Sequence, residues 1–330
     1  MTDPSFFAKT QAGKPLPTTA GGASGYFSAP APGLDPNLFD GTALKQEVRS
    51  YITGELAHGL ALVFDGHATI QSDWLHIWLA GSGVTYQWSA SRGNGDLDVL
   101  FSMDIVPFEQ DNPGWRGTSE ADLALAVNEG LKAQLWPQTS RTRFGNQVYE
   151  VTFFWNPGTG KDIRNIHPYA AYDVVTGTWA VPPPQLPENP RDLYPASWYQ
   201  SAAADTDAAD ALSEAYGRHL GTLASSAPDT PDYHNASSAL NVVVAKARAL
   251  WEDIHLGRRE AFGPQGHGYG DYHNFRWQVA KESGAAQVFR LIAAAGDEAR
   301  AAEETARYGA PIDSAEVALR RAMNSYRNRP

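Results

Sequence analysis

The sequence predicts an α/β (α+β) protein, with a front half built on a mixed sheet and a back half made only of helices. Short apolar runs bounded by turn residues occur at Leu75–Ala80, Leu97–Met103 and Val148–Trp155, and these read as strands. Helical periodicity falls between them, and past residue 200 it replaces the strand pattern in long Ala-rich stretches. Prolines at 182–184, 187 and 190, which can continue neither strand nor helix, mark the boundary.

Residues 1–37 are rich in Gly, Pro, Ala, Ser and Thr without sustained periodicity, and are expected to form a flexible or loosely draped arm. Asp40-Gly41-Thr42 is expected to cap a helix running to Phe64. In it Leu44, Val48, Tyr51, Ile52, Leu56 and Leu60 make one apolar face. The strand Leu75–Ala80 ends on Gly81-Ser82. In the next strand Leu97, Val99, Phe101 and Met103 alternate with Asp96, Asp98, Leu100, Ser102 and Asp104, so the two sets take opposite faces. Ser119–Leu135 reads as a helix through Leu123, Val127 and Leu131. In the strand Val148–Trp155, Tyr149, Val151, Phe153 and Trp155 share a face, with Glu150 and Thr152 opposite. Tyr169–Val181 reads as a strand pair turning at Thr176-Gly177. Helices are expected over 202–224, 236–260, 272–308 and 314–327. The implied organisation is an arm over 1–37, a sheet domain over 38–195 and a helical domain over 200–330.

The chain has 330 residues, enough for one large domain or two modest ones. No window is long and apolar enough to cross a bilayer, and the start has no basic-then-apolar signal, so a cytoplasmic location and no membrane partner are expected. The absence of cysteine removes disulfides, zinc–thiolate sites and thiol nucleophiles together. A formal charge of −11 disfavours long duplex DNA as a partner, because phosphate contacts need the opposite sign.

The chemistry concentrates at Gly81–Asp104. Asp96 and Asp98 stand at i and i+2 of one strand and therefore point into the same space. Two carboxylates held that close repel unless a cation lies between them, and Mg²⁺ is the usual one when a substrate brings phosphates. Gly81 and Ser82 suit a turn that approaches phosphate, since glycine adds no bulk and serine adds a hydroxyl. Arg92 lies on the glycine-rich approach to Asp96. Glu150, a carboxylate among β-formers, is the candidate third acid, with Asp173 in reserve. In the segment 263–284, glycines 266, 268 and 270 suggest a mobile loop and Asp271 a helix cap. Asn274, Gln278 and Lys281 then share one helical face that suits a base edge and a phosphate. Tyr169 and Tyr172 are candidates to stack on a base.

Gly81, Ser82, Asp96 and Asp98, in that order, resemble the signature of the DNA polymerase beta-like nucleotidyltransferase superfamily: Gly-Ser, a variable loop, then Asp-x-Asp or Asp-x-Glu. The likeness covers about a third of the chain. It implies a nucleotidyltransferase-like sheet domain in which the Gly-Ser turn opens a helix and grips the triphosphate. Asp96, Asp98 and Glu150 would hold two Mg²⁺ ions, with Mn²⁺ as a substitute. It also implies attack by a hydroxyl on the α-phosphate of a nucleoside triphosphate such as ATP, with pyrophosphate leaving. The acceptor would be a small molecule, a protein or a small RNA.

Phosphate-loop, H-E-x-x-H and G-x-S-x-G motifs are absent. The rival readings are an inactive nucleotidyltransferase-fold binding module, a structural or interaction protein, and another phosphotransferase or nuclease using the same carboxylates.

Overall fold

The computed structural model describes residues 4–19, 21, 25–88 and 95–312. Arg92 and the expected helix 314–327 lie outside the described residues. Within those described, the chain divides into two compact units. One comprises Ala23–Tyr199 with Leu256–Gln278, and is called the sheet unit below. The other, the helical unit, comprises Met1–Gly22, Gln200–His255 and Val279–Pro330. The arm and the segment 256–278 are thus apportioned differently from the linear division that composition suggested. No described helix is long and apolar enough to cross a membrane.

The sheet unit begins with the hairpin β1 (Phe39–Asp40) and β2 (Ala43–Leu44), whose turn is made by Gly41 at φ +60°. The expectation that Asp40–Thr42 caps a helix is corrected here. Asp-Gly is also a hairpin signal, and the helix α2 starts only at Gln46 and runs to Phe64. Val48, Ile52, Leu56 and Leu60 of α2 are buried, as its apolar face requires.

The main sheet contains β3 (Leu75–Ala80), β4 (Gly95–Met103), β5 (Thr142–Phe144), β6 (Gln147–Trp155), β7 (Ala171–Asp173) and β8 (Thr178–Val181). Its order is β5-β6-β4-β3-β7-β8, with β4 and β6 parallel and every other pair antiparallel. The parallel pair needs a crossover, supplied by α3 (Ile105–Asp111), α4 (Glu120–Gln134) and α5 (Trp136–Thr139). Ser119 caps α4 by accepting from the Asp122 N–H at 3.1 Å. One sheet face carries Leu79, Leu97, Val99, Phe101, Val151 and Trp155, all buried in the core with α2 and α4. The opposite face carries Trp78, Ala80, Asp96, Asp98, Leu100 and Glu150. The β7–β8 hairpin turns at Gly177, φ +75°, as expected.

The helical unit is built from α1 (Pro4–Gln11), most of α6 (Ala196–Ser225) and α7 (Pro231–Ala261), the end of α8 (Tyr272–Ser283), and α9 (Ala285–Tyr308). A single helix over 272–308 is not what forms, because Gly284 at φ +83° breaks it into α8 and α9. The arm is likewise not a loose drape where it is described. Phe7 of α1 is buried, and Thr19 Oγ1 donates to Asp210 at 2.7 Å. In the sheet unit the arm residues Tyr26, Phe27 and Leu34 are buried too. A few large apolar groups are enough to order a Gly/Pro-rich stretch when each finds a core position.

Candidate active site

The strands explain how the acidic pair meets the Gly-Ser bend. β3 and β4 pair antiparallel with Ala80 opposite Asp98, so the residue after Ala80 lies beside the Asp98 side chain. Gly81 sits at φ +88° and ψ −163°, a conformation essentially restricted to glycine. Its N–H donates to the Ala170 carbonyl at 3.2 Å. A Cβ placed there would meet Asp98 Oδ2 at 2.8 Å, so the carboxylate occupies space that only glycine leaves open. Gly83 is equally constrained, since a Cβ there would meet the Asp96 carbonyl oxygen at 2.5 Å. Gly83 carries no motif of its own in the sequence. A second glycine beside Gly-Ser was its only signal.

The turn does not open an α-helix. Ser82–Val84 form one turn of 3₁₀-helix, closed by the Thr85 N–H on the Ser82 carbonyl at 3.1 Å. The Thr85 hydroxyl donates to the same oxygen at 2.8 Å. Phosphate binding at a long helix start is therefore not part of this site, and only the turn itself remains for such a role.

β4 and β6 run in parallel register with Asp96 beside Glu150 and Asp98 beside Thr152, one strand spacing apart. The three predicted acids therefore share a face. Asp98 is exposed as a residue, and its carboxyl has Gly81 directly against it. Loss of hydration pushes the Asp98 carboxyl up to about 7, reinforced by the charges of Asp96 and Glu150 and opposed by Arg258. Glu150 is half-buried, and its Oε1 accepts from the Trp136 indole N–H at 2.9 Å. A cavity of about 450 Å³ opens beside it, lined by Asn128, Lys132, Trp136, Thr152 and Phe154 among others.

Among the described residues no group of three or more His, Asp or Glu side chains is gathered in a way that could hold a metal ion. Mg²⁺, however, commonly takes only one or two carboxylates and completes its shell with substrate phosphate and water. Asp96 and Asp98 supply hard oxygen donors of that kind from one strand face. The donor chemistry of this pair fits Mg²⁺ or Mn²⁺. Glu150 stands at the correct register but is turned to Trp136.

The remaining predicted residues are placed as follows. Asp173 closes the β7–β8 turn, its Oδ1 accepting from the N–H groups of Val175 at 2.9 Å and Thr176 at 2.8 Å. Asn274 is fully buried; its Oδ1 accepts from the Tyr169 hydroxyl at 2.7 Å and its Nδ2 donates to the Tyr269 carbonyl at 3.0 Å. Gln278 is buried as well and donates to the Tyr169 hydroxyl at 3.0 Å. Both amides thus hold Tyr169, the residue before the Ala170 that receives Gly81. Lys281 is exposed and belongs to the helical unit. Tyr169 itself packs on Tyr26, Phe262 and Tyr269, and Tyr172 is in the core. Asp271 accepts from the His273 N–H at 2.8 Å, as a cap should. The loop before it is tightly seated: a Cβ at Gly268, φ +62°, would meet the His167 carbonyl at 2.4 Å.

No family model, curated protein or solved structure matches this chain.

Proposed function

We propose that this chain is a metal-dependent nucleotidyltransferase that moves a nucleoside monophosphate from a nucleoside triphosphate to a hydroxyl acceptor, releasing pyrophosphate. The observation that carries the reading is the seating of the Asp98 carboxylate against Gly81, with Asp96 on the same strand face. A surface Asp-x-Asp has no need of a glycine beneath it. An acid pair aimed at a turn able to approach phosphate has.

Each residue has a distinct task in this mechanism. Asp96 and Asp98 would hold the Mg²⁺ or Mn²⁺, which would supply charge neutralisation of the triphosphate and lower the pKa of the incoming hydroxyl. Gly81 and Ser82 offer backbone and hydroxyl donors to phosphate oxygens, with no Cβ in the way at Gly81. Glu150 is the group available to take the proton of the attacking hydroxyl. The Trp136 indole N–H fixes one of its oxygens and leaves the other for that task. Asn274 and Gln278 act through Tyr169 to fix the segment that receives Gly81, and are positioning residues.

The test is incubation with each α-labelled nucleoside triphosphate and Mg²⁺ or Mn²⁺, following the label and the released pyrophosphate. Asp96→Asn and Asp98→Asn are expected to abolish transfer and to leave the fold intact by circular dichroism; a double variant as active as the wild type refutes the assignment. That no three-acid cluster is gathered among the described residues favours a second reading, an inactive relative that only binds nucleotide. That protein would gain thermal stability with ATP or GTP and Mg²⁺ and transfer no label.

A further inference from the structure

We propose that the cavity between β6 and the α4–α5 pair is a peptide site, where a short extended segment carrying an apolar side chain adds to the open edge of β6. The site lies within the sheet unit and does not depend on the chain transferring nucleotides.

β5 covers the edge of β6 only as far as Tyr149, which pairs with Thr142. Beyond that point α4 and α5 take over the edge. The Thr139 hydroxyl donates to the Val151 carbonyl at 2.8 Å. Asn128 closes the other end, its Nδ2 donating to the Trp155 carbonyl at 2.8 Å and its Oδ1 accepting from the Trp155 N–H at 2.7 Å. Backbone groups alternate along a strand, so Phe153 turns its N–H and C=O to the same side as those of Val151 and Trp155. No hydrogen bond from α4 or α5 reaches either group among the described residues. A donor and an acceptor thus stay open between two side chains that satisfy their neighbours. Edge groups of this kind are a template for pairing with another chain.

Packing does not fill the gap. The cavity of about 450 Å³ is lined by Asn128, Thr139 and Phe153, and its size falls among small-ligand sites, which span roughly 300–1,000 Å³. Two large aromatic residues on its wall stay open to water, Trp136 at 41% and Phe154 at 46% exposure. The Trp136 ring is held in place by its N–H on Glu150 at 2.9 Å. A secondary amide offers the N–H and C=O that the Phe153 backbone lacks, and an extended peptide presents such amides in series. The peptide residue paired with Phe153 shares the sheet face that α4 covers, and so must be small. Its neighbour turns to the opposite face, where an apolar side chain would cover Phe154 and Trp136. Glu129 and Glu150 outnumber Lys132 on the lining, which favours a neutral or basic segment over an acidic one. Asn128 and Thr139 leave only one residue's edge free, so a short segment is recognised and not a long added strand.

The experiment follows the Phe153 backbone amide by NMR in the ¹⁵N-labelled full chain as the acetylated and amidated peptide Lys-Ala-Phe-Ala-Lys is added, without nucleotide or metal. The Phe153 amide and the Trp136 indole resonances should shift together with one saturable Kd. Methylating both alanine nitrogens removes the peptide donors and should weaken binding at least fivefold. Replacing the central phenylalanine with alanine, or both lysines with glutamate, should weaken it at least threefold. Phe154→Ala, at an exposed position, should do the same with an unchanged melting temperature; if that variant does not fold, the altered peptides still decide. No shift at Phe153 overturns the proposal. So does a methylated peptide that binds as well as its parent, or benzyl alcohol that shifts the same resonances as strongly, since either shows an apolar pocket without edge pairing. Nucleotide transfer is assayed separately, so the peptide site and the transferase reading can each fail without the other.

Discussion

Asp98→Asn should make the metal-free protein more stable at alkaline pH than the wild type. The Asp98 carboxyl is raised from 3.8 to about 7 by lost hydration and by the charges of Asp96 and Glu150. The folded state therefore binds this proton more tightly than the unfolded chain does. The resulting stability is fully present below 3.8 and is lost as pH rises through about 7. A fully buried group so displaced would account for about 4 kcal/mol at 1.4 kcal/mol per tenfold. Asp98 is exposed, however, and solvent screening reduces this to about 1–2 kcal/mol. Asparagine keeps the shape and cannot ionise, so it escapes the loss. In thermal melts without divalent metal, the variant should match or fall below the wild type at pH 4. It should then exceed the wild type by about 2–4 °C at pH 8. Adding Mg²⁺ at pH 8 should raise the wild type and narrow the gap. A difference that does not change between pH 4 and pH 8 would contradict the crowded, like-charged setting assigned to Asp98.

Gly81→Ala forces a Cβ into the Asp98 carboxylate and into a backbone conformation that side chains avoid, so a loss of about 1–3 kcal/mol and of transfer is expected, read by melting and by label transfer. Trp136→Phe keeps an aromatic side chain, smaller than the indole, and removes the donor to Glu150; kcat should fall by up to about tenfold with KM little changed, while stability moves by no more than about 1 kcal/mol. Tyr149→Phe removes the hydroxyl that donates to buried Asp35 at 2.5 Å, and chemical denaturation should show a loss of about 1–3 kcal/mol.

β3 was legible as a short apolar run, and it begins and ends where that run does, while β4 and β6 were legible by period-2 alternation; β1, β2 and β5 are two or three residues long, too short to carry a pattern. The same alternation placed Asp96, Asp98 and Glu150 on one face. What a linear pattern could not show was the pairing register that puts Asp98 opposite Ala80 and against Gly81. Asn274 and Gln278 share one polar helix face, but that face meets Tyr169 rather than water. Asp40-Gly41 supports both a helix cap and a hairpin turn, and the pairing of Phe39 with Leu44 decided between them. In the arm, bulk composition hides the weight of single anchors such as Phe7 and Tyr26.

The central claim is that the Asp96 and Asp98 carboxylates jointly bind the metal of a nucleoside triphosphate beside Gly81. Anomalous diffraction from crystals grown with Mn²⁺ and a non-hydrolysable nucleoside triphosphate measures this directly. A Mn²⁺ peak at about 2.1–2.2 Å from an oxygen of each aspartate, with phosphate oxygens in its shell, is the predicted result. A bound nucleotide whose metal lies away from both carboxylates would contradict it.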